Sequence, residues 1–154
     1  MGEIVMKLQI QIAVATMLII SLLFPLWKIA GLLLWLVFSS FNQYHSTGFR
    51  EFIASLLQNT TLELIWLTVA NVIQGFIAGV MVISLVKKIM GADILKKAAP
   101  ISAGGLIALF FISITIDYFY FIGDFKNYLG LFMAITGAIF SITRWAFFMK
   151  NHQG

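Results

Sequence analysis

Residues Leu62 to Val86 read LELIWLTVANVIQGFIAGVMVISLV, and the only ionisable side chain in the run is Glu63, at its first turn. As a helix this stretch crosses a hydrocarbon core of about 30 Å. The chain therefore belongs in a membrane, where only helices or closed barrels satisfy every backbone N–H and C=O. One such run without alternating polarity predicts an all-α membrane domain.

The rest of the chain fits that solvent. It is 61% hydrophobic, 15% aromatic and 10% charged, with a mean hydropathy of +1.00. Soluble domains carry roughly 25% charged residues, so a soluble core is excluded. The 154 residues leave room for one compact bundle and no second domain. The chain has no cysteine, which rules out disulfides, thiolate metal sites and cysteine nucleophiles. Its net charge of +4 reports topology and lipid headgroups, and nucleic acid is not an expected partner.

Three further apolar segments flank the first. Leu8 to Phe24 carries no charge and is followed by Pro25 and Lys28, which argue against a smooth continuation across the membrane. No small-x-small cleavage pattern follows Phe24, so this span is retained in the mature chain. Ile101 to Ile122 and Tyr128 to Met149 complete a four-span bundle, and Pro100 is expected at the first turn of the third span. The connections are then an outer loop over 25–61, an inner loop over 87–100 and a short outer loop over 123–127.

Lysine placement orients the bundle. Lys87, Lys88, Lys96 and Lys97 crowd the loop between the second and third spans, and Lys7, Arg144 and Lys150 share its side. Lys28, Arg50 and Lys126 lie on the other. The positive-inside rule places both termini in the cytoplasm, most simply at the plasma membrane, with the inner lysines held by anionic headgroups.

The first half of the long outer loop, Trp27 to Phe41, is nearly as apolar as the spans. A short strand pair over the bundle, a re-entrant segment and a fifth span are all compatible with it. Beyond it, Phe49, Phe52, Ile53, Leu56 and Leu57 recur at helical spacing, which predicts a short amphipathic helix over Gly48 to Leu57. Asn59-Thr60-Thr61 matches the N-glycosylation pattern on the predicted outer side.

Small residues form packing stripes. Gly75 and Gly79 make a GxxxG motif, and Gly104 with Ala108, and Gly130 with Ala134, Ala138 and Ser141, recur at similar spacing on the third and fourth spans. These faces are expected to pack within the bundle, homodimerisation through Gly75 and Gly79 being the alternative. Asn71, Gln74 and Asp117 are the polar residues inside the spans. The two amides should face the interior and bond between helices, or else line a polar path. Asp117 should find an outer-leaflet partner such as Lys28, Lys126, a tyrosine or a loop amide. His45 and His152 stand without a second ligand at metal spacing, so no metal site or cofactor is expected. A Gly-rich phosphate loop, a nucleophile elbow and paired intramembrane carboxylates are all absent, and an enzyme is not expected.

The layout resembles the claudin and peripheral myelin protein superfamily, with a long first outer loop and a short second one. Trp27, Gly31-Leu32 and Trp35 are similar to its first-loop tryptophan and Gly-Leu-Trp pattern. The run from Lys96 through Pro100 to Gly104-Gly105 resembles the entry to its third span, and Tyr118 to Gly130 its second outer loop. The chain lacks the family's two first-loop cysteines. The resemblance implies a left-handed four-helix bundle carrying a small outer sheet, used for lateral assembly or membrane contact.

Two functions follow as expectations. One is a non-enzymatic tetraspan protein that forms a homo-oligomer or joins a larger membrane complex through Trp27, Trp35, Phe38 and Phe41. The other is a small transporter, channel or accessory subunit with a polar path near Asn71, Gln74 and Asp117. Convergence of those three side chains on one cavity separates them.

Overall fold

A computed structural model describes residues 2–44, 60–120 and 125–148, with side chains over 3–37, 61, 64–116 and 128–144. The described residues form four helices: α1 (Gly2–Tyr44), α2 (Thr60–Met90), α3 (Ala92–Tyr120) and α4 (Phe125–Phe148). The first three hold the long apolar stretches Glu3–Val37, Leu64–Met90 and Ala92–Ile116, and the apolar part of α4, Tyr128–Arg144, is shorter. Three helices long and apolar enough to cross a bilayer point to an integral membrane protein. Among the described residues there is no strand, so the expected outer sheet does not occur there. The expected amphipathic helix over Gly48 to Leu57 and the sequon at Asn59 lie outside the described residues.

The largest departure from the sequence reading is α1. It runs unbroken through Pro25 for 43 residues, so residues 25–44 of the expected outer loop are helix. Trp27 to Phe41 is neither strand pair nor re-entrant segment; it continues the first helix. Proline has the φ that a helix needs and removes a single bond, the one to the carbonyl of Ser21. Pro25 is exposed on the outer side of the helix. An apolar segment in lipid leaves many backbone groups unpaired in any non-helical form, so forfeiting one bond is the smaller cost.

The second departure is the lysine loop. The expected inner loop over 87–100 shrinks to Gly91, and Pro100 lies well inside α3 instead of at its first turn. Gly91 adopts φ +84°, and its N–H donates to the carbonyl of Lys87 at 3.0 Å, closing α2 with a left-handed cap. Its own carbonyl accepts from Leu95 N–H at 3.3 Å and opens α3. Lys87 and Lys88 thus occupy the last turn of α2, where cations oppose the helix dipole, and Asp93 sits in the first turn of α3.

In cross-section α1 packs on α2 and α3, and α4 packs on the same two, with α2 against α4 the most extensive pair. α2 and α3, although joined by one residue, touch only lightly across the diagonal. The core is one cluster built from Ala15, Ile19, Val82, Ile83, Leu95, Ala98 and Ile142 with their neighbours. It lies toward the end of the bundle that carries Gly91 and the lysines.

Candidate functional site

The seam between α2 and α4 is made by small residues on both helices. A methyl group at Gly75 would collide with the backbone of Ala134, and one at Gly137 with the backbone of Val72. Gly79 faces Ser141 and Ala138, and Gly130 faces the Asn71 amide. Gly75 and Gly79 therefore lie against α4 within the same chain, and close backbone approach of this kind drives helix association in lipid. Gly104, expected in a packing face, points to open space. The contact falls one residue on, where a methyl at Gly105 would sit 2.9 Å from Ile20 Cδ1. One residue turns a helix by about 100°, so assigning the stripe one position early moves it off the interface.

Asn71 and Gln74 do not share a site. Asn71 Nδ2 donates to the carbonyl of Leu67 on its own helix at 2.7 Å, on the face toward α4. Gln74 Nε2 reaches across to α1 and donates to the carbonyl of Trp27 at 2.8 Å. Gly31 allows that bond, since a methyl there would lie 2.5 Å from Gln74 Nε2. The serine and threonine hydroxyls instead bond one turn back on their own helices, as Ser102 does to Ala98 at 2.8 Å and Thr143 to Ile139 at 2.7 Å. Asp117 lies on α3, and its side chain is outside the described residues.

Where α1 faces α4 across the diagonal, the bundle holds an apolar cavity of about 190 Å³. Leu23 and Trp27 of α1, Gly75 of α2, Leu106 of α3, and Leu131 and Ala134 of α4 line it. Phe24 and Leu109 complete the wall and are both exposed, so the cavity opens sideways between α1 and α3. Neither Asn71 nor Gln74 borders it. Trp27 lies with its ring centre 6.3 Å from that of Phe24 and tilted 46° to it, and its indole N–H is buried with no acceptor among the described residues. Lys28 places its ammonium 5.0 Å from the centre of the Phe24 ring, a cation–π contact at the cavity mouth.

The four aromatic residues expected to form one interaction surface all belong to α1, and the two whose side chains are described, Trp27 and Trp35, separate. Trp27 faces the cavity, whereas Trp35 is 63% exposed. Phe38 and Phe41 continue the helix, with side chains outside the described residues. Among the described residues no three His, Cys, Asp or Glu side chains gather as a metal site would need. Sequence reading named Gly31 and Gly105 only within the family resemblance, missing their packing roles, and missed Gly137 and the cavity altogether. Gly137 carried a usable signal, because it adjoins the Ala134 and Ala138 stripe one helical position round. The walls of the site are hydrocarbon and, among the described residues, the charge at its mouth is Lys28, so the arrangement suits an apolar guest. No protein family, curated protein or solved structure matches this chain.

Proposed function

We propose that the protein is a non-enzymatic membrane component that acts by lateral contact, with further copies of itself or within a larger membrane complex, through the end of the bundle remote from the lysines. One observation carries this reading: the helices leave that end unpacked. On α1 Leu32, Leu33, Trp35, Leu36 and Val37 are exposed, as are Ile65, Leu67 and Val69 on α2 and Phe111, Ile112 and Ile116 on α3. Exposure of apolar side chains alone is ordinary in lipid. What supports contact with a partner is that, among the described residues, none is buried on α1 beyond Ala30, on α2 before Gly75 or on α3 beyond Phe110, leaving apolar side chains that another helix covers better than mobile lipid chains do. Trp35 lies on this surface. In this reading the lysine end faces the cytoplasm with both termini, in the plasma membrane.

The cysteine-free chain makes the test direct. Single cysteines at Leu32 and Trp35 report on the open end, and at Met17 and Ile101, equally exposed, on the lysine end. In native membranes the first two are expected to cross-link into dimers or to a partner severalfold more than the second two. Equal yields at all four positions would sink the proposal.

A further inference from the structure

We infer that the cavity between α1 and α4 is a binding site for the acyl chain of an anionic phospholipid whose headgroup is held by Lys28. This goes beyond lateral assembly and does not depend on it.

Two independent features coincide at this place. The first is space of the right chemistry. A cavity of about 190 Å³ with hydrocarbon walls exceeds the roughly 150 Å³ apolar cavities that stay dry and admit benzene-sized guests. It opens sideways at Phe24 and Leu109, the direction from which a bilayer supplies chains. The second is charge. Lys28 projects from the outside of α1 in the middle of an apolar helix, and the ring it covers, Phe24, forms the mouth of that cavity. An ionisable residue within a spanning helix is costly unless a partner meets it.

The acidic residues whose side chains are described, Glu3 and Asp93, do not meet that need. Glu3 lies near the start of α1, and Asp93 beside the lysine turn. Asp117 stands eight residues beyond Leu109 on α3, which runs parallel to α1, so its backbone lies about 6 Å of helix rise past the level of Lys28, and its side chain is outside the described residues. Among the residues whose side chains are described, none supplies an anion to Lys28.

The geometry orders the guest. Along α1 the cavity wall runs from Ile20 to Trp27, and Lys28 follows at its upper end. A chain lying along this wall has its polar end at Lys28 and its tail directed toward the lysine end of the bundle. That is the posture of a phospholipid in the leaflet remote from the lysines. A zwitterionic lipid offers the same tail without the net charge, so the site selects by headgroup.

The test uses the fluorescence of Trp27, which lines the cavity. With Trp35, Trp66 and Trp145 replaced by phenylalanine, the protein is placed in phosphatidylcholine vesicles containing brominated phosphatidylglycerol or, separately, brominated phosphatidylcholine. The brominated anionic lipid is expected to quench Trp27 at a concentration roughly fivefold lower, the factor that about 1 kcal/mol from one lysine gives at an anionic membrane. Lys28→Gln should bring the ratio to one, and Lys28→Arg should retain it. Leu109→Phe, which narrows the mouth without touching charge, should weaken quenching by both lipids. Unaltered circular dichroism establishes that each variant is folded.

Equal quenching by the two lipids, or a preference that survives Lys28→Gln, overturns the proposal. So does a Lys28→Gln variant that keeps its lipid response and loses cross-linking between copies, because Lys28 would then serve a carboxylate on a neighbouring chain.

Discussion

At the end that carries Lys87, Lys88, Lys96 and Lys97 the four helices interlock, while at the opposite end their side chains remain uncovered. Both ends carry apolar side chains, so hydrophobicity alone does not explain the difference. Side-chain size does. The packed end is lined by Ala15, Ala78, Gly79, Ala98, Ala99, Ser102, Ala138 and Ser141, all buried. The open end carries Leu33, Trp35, Leu67 and Phe111, and in α3 the run from Phe110 to Tyr120 contains no alanine or glycine. In water both sets would be driven together. In lipid an exposed leucine costs almost nothing, so helices close only where small residues let backbones approach.

The seam that bounds the packed end should be the most sensitive place in the bundle. Gly137→Leu forces a branched side chain into the backbone of Val72 and should destabilise the bundle by more than about 3 kcal/mol, measured by steric trapping in bicelles. A Gly137→Leu chain as stable as the parent would remove α2 against α4 as the principal contact.

A smaller effect separates the two ends directly. Ile83→Ala at the packed end leaves a cavity and should cost about 1–3 kcal/mol. That is the packing share of the loss seen in water, since the unfolded helix stays in an apolar solvent. Ile65→Ala, 55% exposed at the open end, should cost less than about 0.5 kcal/mol in a monomer. If the partner contact proposed above covers Ile65, the same change weakens assembly and leaves monomer stability alone, so the pair also reports on function.

Smaller again is the bond from Gln74 to Trp27, which ties the packed end to α1 at its upper limit. Gln74→Leu should cost about 0.6–1.7 kcal/mol, the range for hydrogen bonds between helices in membranes. Gly31→Ala displaces the same amide and should cost a similar amount, and in a double-mutant cycle the two should fall short of additivity by most of one effect. Full additivity would mean that Gly31 does not serve that bond. The least effect belongs to Gly104, which lies among packed residues yet faces nothing. Gly104→Ala should leave stability unchanged or raise it by up to about 1 kcal/mol, through helix propensity alone. A clear loss at this position would show a contact from outside the chain.

Much of the architecture was legible in residues. The apolar runs located the helices, and the small residues at 75, 79, 130, 134, 138 and 141 marked faces that now lie at the α2–α4 seam. Less was legible at α1. Pro25 and Lys28 both read as the end of a span, yet each is accommodated on the outer face of the helix, the proline by forfeiting one bond and the lysine by lying over Phe24. A break signal acts through what surrounds it, and lipid offers the backbone nothing better than continuing. The likeness to the claudin layout rests on sequence alone, since no family matches and the long first loop it requires is partly helix.

The candidate site was far less legible than the fold. Asn71 and Gln74, three residues apart and so neighbours on the helix surface, invited a shared polar path, yet Asn71 bonds back to Leu67 on its own helix while Gln74 reaches across to Trp27 on α1. The cavity has no motif, because it is what remains where Leu23, Leu106 and Leu131 fail to meet.

By itself the sequence determined the solvent, the helical form and which faces admit close approach. These follow from composition and from the need of every backbone group in lipid for a partner within its own segment. Only the tertiary structure decided which face meets which, that α1 continues past Pro25, and that Lys28 stands at the mouth of an apolar cavity. Those outcomes depend on the relative rotation and depth of four helices, which local residue patterns do not encode because the driving force is packing between surfaces and not attraction away from solvent.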